Sequence, residues 1–141
     1  MATELWQLSA TELAGRIARR ETTARAVTES VLGRIAVANP QVNALASVMP
    51  EKALQAADAA DTAQARGDAL GPLHGVPVTI KVNIDVQGEA TNDAVAAFKD
   101  NIASSDSPLV QSMREAGAII VGRNNAPAFS LRWFTDNTFH G

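Results

Sequence analysis

Apolar residues recur through the first third of the chain at helical spacing, and after residue 75 they switch to the spacing of a strand. Leu13 and Ile17 fall one turn apart behind Ser9 and Glu12, a pair that fits a capping box, so a short amphipathic helix is expected to end near Arg20. Thr22 or Thr23 can cap the next helix. Its Val27, Val31 and Ile35 share one face, and Asn39-Pro40 is expected to stop it. These two helices read as an αα-hairpin, with Arg16, Arg19 and Arg20 on a solvated face. Val42 to Met49 fits either a strand or an extended loop. Pro50 suits a first helical position, and the alanine-rich run from Glu51 to Arg66 closes on Gly67, a natural residue just past a helix end. Ala53, Ala56, Ala57 and Ala60 give that helix a narrow face for close packing.

From Val76 to Gln87 apolar and polar residues alternate strictly, which predicts one strand with a buried face made of Val76, Val78, Ile80, Val82, Ile84 and Val86. Gly88 supplies a turn, and Ala94 to Phe98 reads as a second strand or an irregular excursion. Asp106 is expected to cap a helix with Pro108 in its first turn, an apolar stripe of Leu109, Met113 and Ala116, and Gly117 at its end. Ala118 to Val121 then reads as a buried strand, and Asn124 to Leu131 as a turn and short helix with Pro127 in its first turn. Strand, excursion, helix, strand is the succession of an α/β layer. The predicted organisation is a single partial domain over residues 1–141, with a mainly helical opening at 1–66 and the start of an α/β sheet layer at 67–141. Residues 132–141 carry Trp133, Phe134 and Phe139, half of the chain's six aromatics, without a closing element, so the layer reads as unfinished.

Composition narrows the function. Fifteen acidic against twelve basic residues give a net charge of -3, which argues against nucleic acid or an anionic membrane as partner. No cysteine is present, so disulfides, thiol catalysis and Cys-based metal sites are excluded. The opening Met1 to Trp6 has neither a basic nor an apolar targeting region, and no run approaches the roughly 20 residues of a bilayer span. A soluble cytoplasmic chain is the expectation.

Among candidate chemical groups, Lys81 stands in the centre of the polar parity between Thr79 and Asn83. A lysine on an open sheet face is a solvated ammonium without catalytic use. Covered by another layer beside hydroxyl and amide groups, such an amine becomes a competent general base. His74 and His140 have no ligand partner at i+3 or i+4 and read as loop residues, so neither a metal nor a cofactor is expected. Gly67, Gly71 and Gly75 recur every four residues without a following Gly-Lys-Ser/Thr, which fits a flexible loop and not a phosphate cradle. Ser104 and Ser105 precede Asp106-Ser107-Pro108 and read as the start of a helix. No Gly-x-Ser-x-Gly elbow occurs.

Three segments carry a resemblance. GPLHGVPVTIKVNID (Gly71 to Asp85), DSPLVQSMREAG (Asp106 to Gly117) and AGAIIVGRNNAPAF (Ala116 to Phe129) resemble, in order and spacing, the N-terminal portion of the amidase signature family. The likeness extends to the helical opening with Asn39-Pro40 and to TDNTFHG (Thr135 to Gly141). It implies a mixed sheet of the amidase signature fold, present in part, and a Ser-Ser-Lys amide hydrolase. In such an enzyme the lysine matching Lys81 takes a proton through a bridging serine in a cis peptide, a second serine attacks the amide carbonyl, and backbone N–H groups of a Gly-rich loop hold the oxyanion. The resemblance places both serines in a Gly-Gly-Ser-Ser-Gly-Gly segment beyond Gly141, so these 141 residues are expected to be inactive alone. Val82 stands where the family usually has an aspartate, and Ala128 where it often has a glutamate.

Three readings follow. The first is an amidase portion acting on a small-molecule amide once completed, with Lys81 as its catalytic residue. The second is the A subunit of a tRNA-dependent amidotransferase. The third is a non-catalytic remnant that forms a homo-oligomer through the unfinished sheet.

Overall fold

The computed structural model describes residues 3–141. Met1 and Ala2, part of the opening read for a targeting signal, lie outside the described residues. After a 3-10 turn at Leu5–Gln7 come α1 (Ala10–Ala18), α2 (Ala24–Val42), β1 (Leu45–Val48), α3 (Pro50–Arg66), β2 (Pro77–Lys81), α4 (Pro108–Glu115) and β3 (Ile119–Asn124). Ser9 and Glu12 form the capping box of α1, Thr23 accepts from Ala26 N–H at the start of α2, and Pro50 and the left-handed Gly67 bound α3.

The three strands make a mixed sheet in the order β1-β3-β2, with β1 antiparallel and β2 parallel to the central β3. β3 is buried on both faces. Ile119 and Val121 pack with Ala24, Ala53 and Ala57 of α2 and α3, while Ile120 faces Ile80, Val86 and Val110 on the α4 side. That sandwich explains the unbroken apolar run of β3, since a strand covered on both sides has no polar parity. A third cluster, Leu13, Ile17, Val27 and Val76, fastens α1 and α2 to the start of β2. The loop before β2 comes so close to these helices that a Cβ on Gly75, whose φ is +75°, would lie 2.7 Å from the Ala24 Cβ. Glycine is required there on both counts. The same loop is tied down by Leu73 N–H to Ala116 O at 2.8 Å and Gly75 N–H to Gly117 O at 2.9 Å.

Several expectations are corrected. α2 does not stop at Asn39-Pro40 but continues to Val42 with Pro40 inside its last turn, and ends on Asn43 in the left-handed conformation. Asn39 redirects the chain instead: its side chain accepts from Leu45 N–H at 2.8 Å and donates to Leu45 O at 3.0 Å, which leads into β1. β2 ends at Lys81, not at Gln87, because Ile84 N–H turns back onto Lys81 O at 3.0 Å. The apolar parity nevertheless stays buried or half-buried through Val86, in separate clusters. The cap of α4 is Ser107, not Asp106, since the residue before Pro108 is held extended, as a cap requires. Val110 is the fully buried residue of α4, and Leu109 is 50% exposed. The excursion at 94–98 contains a 3-10 turn, Ala96–Phe98, and the segment after β3 holds another, Ala128–Ser130, with Pro127 preceding it. Among the described residues no helix is long and apolar enough to cross a membrane.

Candidate active site

The parallel pair β2 and β3 ends at Lys81 and Asn124, which stand opposite each other in register. In open α/β sheets ligands gather beyond the carboxyl ends of such strands. Lys81 is therefore placed where chemistry is expected, at the last position of β2 and half-buried. Among the described residues its amine belongs to none of the ion pairs.

Loops converge on this end of the sheet. Val82 N–H donates to Asn124 O at 3.1 Å, and Asn92 N–H to Val82 O at 3.2 Å. Phe129 N–H donates to Asp93 O at 2.9 Å, and Asn83 Nδ2 to Ser130 Oγ at 3.3 Å. Asp93, Ala94, Phe129 and Ser130 all have positive φ, from 50° to 59°. Four non-glycine residues in the left-handed region within two bonded loops represent stored strain, and such strain concentrates at functional sites. The buried Oδ1 of Asn83 has no partner among the described residues. Val82 is 2% exposed and packs with Ala94 and Ala126, so at this position burial takes the place of the carboxylate that the resemblance leads one to expect.

Asparagines hold the final segment against the strand ends. Asn137, 8% exposed, donates to Asn125 Oδ1 at 2.9 Å and Ala126 O at 2.8 Å, and its own Oδ1 accepts from Phe139 and His140 N–H. Asn125 Nδ2 reaches Asn43 O at 3.2 Å. His140 Nε2 lies 3.2 Å from Asn92 Oδ1, and burial holds its imidazole pKa below the ordinary value. His74 lies elsewhere, against Ala60 O at 3.1 Å. Trp133 is fully exposed on the same final segment.

Sequence reasoning missed Arg123. This β3 residue is 2% exposed and donates to the carbonyls of Lys81, Ile84 and Ala90. Burial pulls its pKa below the usual guanidinium value, against the opposing pull of Glu89 and Asp85, yet an arginine so placed keeps its proton. The available signal was a charge set one glycine beyond an apolar strand core, after Val121 and Gly122. Arg123, Asn92 and His140 together line a cavity of about 160 Å³. Ser104 and Ser105 are exposed bend residues ahead of the Ser107 cap. Among the described residues no three His, Asp or Glu side chains form a group that could hold a metal ion.

Comparison with known proteins finds relatives over nearly the whole chain. The sequence model described as Amidase matches residues 26–141. The indoleacetamide hydrolase of Bradyrhizobium diazoefficiens is 45% identical over 137 residues, covering 97% of this chain and 26% of that protein. The A subunit of the glutamyl-tRNA(Gln) amidotransferase of Moorella thermoacetica is 34% identical over 96% of this chain and 28% of its own length. A solved bacterial aryl acylamidase, described as belonging to the amidase signature enzymes, superposes with a TM-score of 0.90 at 27% identity, over 95% of this chain and 28% of that one. The chain thus spans about a quarter of the length of the relatives it matches. With the Amidase model matched over residues 26–141, the chain belongs to the amidase family.

Proposed function

We propose that this chain supplies the lysine-bearing part of a carboxylic-amide hydrolase of the Ser-Ser-Lys type, with Lys81 as the proton acceptor. The observation that carries the reading is the position of Lys81 at the carboxyl end of a parallel strand, beside two strained loops that bond to each other. The sequence contains no Gly-Gly-Ser-Ser-Gly-Gly segment, so in this reading the bridging and nucleophilic serines, and the oxyanion donors, come from outside these residues. Lys81 then relays the proton of the attacking hydroxyl to the leaving amine, which departs as ammonia from a primary amide. A hydrolase of small-molecule amides in the cytoplasm, without metal or cofactor, is the form proposed. The indoleacetamide hydrolase and aryl acylamidase relatives support an amide substrate.

The test is ammonia release from aliphatic and aryl primary amides by the enzyme completed with its serine segment. Lys81→Ala is expected to lower kcat/KM by about 10²- to 10⁴-fold, the usual contribution of a general base. Unchanged turnover in that variant would remove the assignment. A second reading, the A subunit of a tRNA-dependent amidotransferase, is favoured by relatives such as the Moorella thermoacetica protein. Copurification with a second subunit, together with glutamine-dependent ammonia transfer, would select it over a stand-alone hydrolase.

A further inference from the structure

Arg123 is the largest fully buried side chain among the described residues, on the central strand of the sheet. A guanidinium does not shed its charge, so placing it where water cannot reach is costly unless acceptors surround it. Here those acceptors are not carboxylates: among the described residues Arg123 belongs to none of the ion pairs. Its partners are backbone carbonyls, Nη1 to Ala90 O at 3.3 Å and Nη2 to Lys81 O at 3.1 Å and Ile84 O at 2.7 Å. A single nitrogen therefore spans the first and last carbonyls of the turn that Ile84 N–H closes onto Lys81.

That turn ends β2, and its first residue is Lys81. Parallel pairing fixes Lys81 from one side, through Asn124, and Val82 N–H to Asn124 O is the last backbone bond to β3, so the backbone of Asn83 and Ile84 needs another hold. An apolar residue at 123 would fill the same space with less desolvation, yet would leave the Lys81, Ile84 and Ala90 carbonyls without this donor. We propose that Arg123 is a positioning residue for Lys81: its guanidinium staples the turn after β2 and so sets the direction in which the lysine side chain leaves the strand. The inference rests on the reading of Lys81 as proton acceptor, although the staple itself can be measured without it.

Amide hydrogen exchange and lysine side-chain NMR on this chain test the staple, with Lys52 and Lys99, the only other lysines, as internal references. In Arg123→Met the Ile84 and Asn92 amides should exchange at least about 10-fold faster relative to those of Ile119 and Val121, and the Lys81 side-chain signals should shift while those of Lys52 and Lys99 stay. Arg123→Lys, which keeps charge and donors, should recover part of both effects. Unchanged loop exchange, or a loss spread evenly over helices and strands, would overturn the staple. In the completed enzyme, Arg123→Met should lower kcat by about 10- to 100-fold with little change in KM and alter the acid limb of the pH profile, with partial rescue by lysine. Wild-type kcat and pH profile in Arg123→Met, alongside an inactive Lys81→Met, would overturn the positioning role alone. Activity retained in Lys81→Met would instead overturn the reading of Lys81, and with it any catalytic purpose of the staple.

Discussion

Around α1, α2 and α3 the chain is held mainly by small and branched apolar side chains, with Gln64 to Ile17 O as a buried polar tie, whereas beyond the carboxyl ends of β2 and β3 a small apolar cluster is joined by amide and guanidinium groups that grip backbone carbonyls. Ile17, Ala24, Val27, Ala53 and Ala57 have no exposed surface. At the other end Arg123, Asn125 and Asn137 are also buried, and each is committed to main-chain atoms of loops distant in sequence. Apolar burial is strong but indifferent to direction, so it suits a scaffold. Hydrogen bonds to carbonyls add less net stability and much more geometric definition, which suits loops that must hold strained backbone in place.

The contrast can be broken by mutation. Ile17→Ala, which empties a fully buried site between α1, α2 and β2, is expected to cost about 4 kcal/mol and to lower the urea midpoint of the whole chain. A cost below about 1 kcal/mol would mean that this cluster collapses freely and is no scaffold. Asn137→Ala removes three donated and two accepted hydrogen bonds at the other end. It should cost about 2 kcal/mol and show itself first as faster proteolysis and exchange in residues 135–141. If it instead unfolded the molecule as Ile17→Ala does, the division into scaffold and fastened loops would fail.

Asp106 gives the smallest effect and a pH signature. Burial pushes its carboxyl pKa up, but the Gln87 N–H at 2.8 Å and the Arg114 guanidinium at 2.7 Å outweigh that and hold it below the ordinary carboxylate value. A carboxyl depressed in the folded state contributes stability that is complete above the unfolded-chain value of about 3.9 and is lost as pH falls through the lower folded value. Wild type should therefore exceed Asp106→Asn by about 1 kcal/mol at neutral pH, and the gap should close in acid. Urea titrations at pH 7, 5 and 3 check this. A gap that stayed constant across this whole range would locate the effect in side-chain shape and not in charge.

The helical half is largely legible in the sequence because its information is local. Ser9 with Glu12, Pro50 and Gly67 act on backbone within one turn, and the alanine face of α3 shows directly as spacing. The end of β2 was not legible, because the alternation that predicts a strand continues through a turn whose apolar residues are buried by different neighbours. Asn39 gave the opposite difficulty: beside Pro40 it read as a stop, while its side chain in fact carries the chain from α2 into β1. The place of Lys81 among alternating residues marks it in the sequence, but nothing local connects it to Arg123, 42 residues away.

What the amino-acid order determined by itself was the set of helices, the apolar faces of α1, α2 and α3, the α/β succession and the candidacy of Lys81, since periodicity, caps and turn residues act over a few positions. The sandwiching of β3, the bending of the chain after Lys81, the asparagine fastenings and the burial of Arg123 were decided only in the tertiary structure. Those features depend on which carbonyl meets which donor after distant segments have packed, and a carbonyl is present at every residue, so composition and spacing carry no mark of the one that will be used.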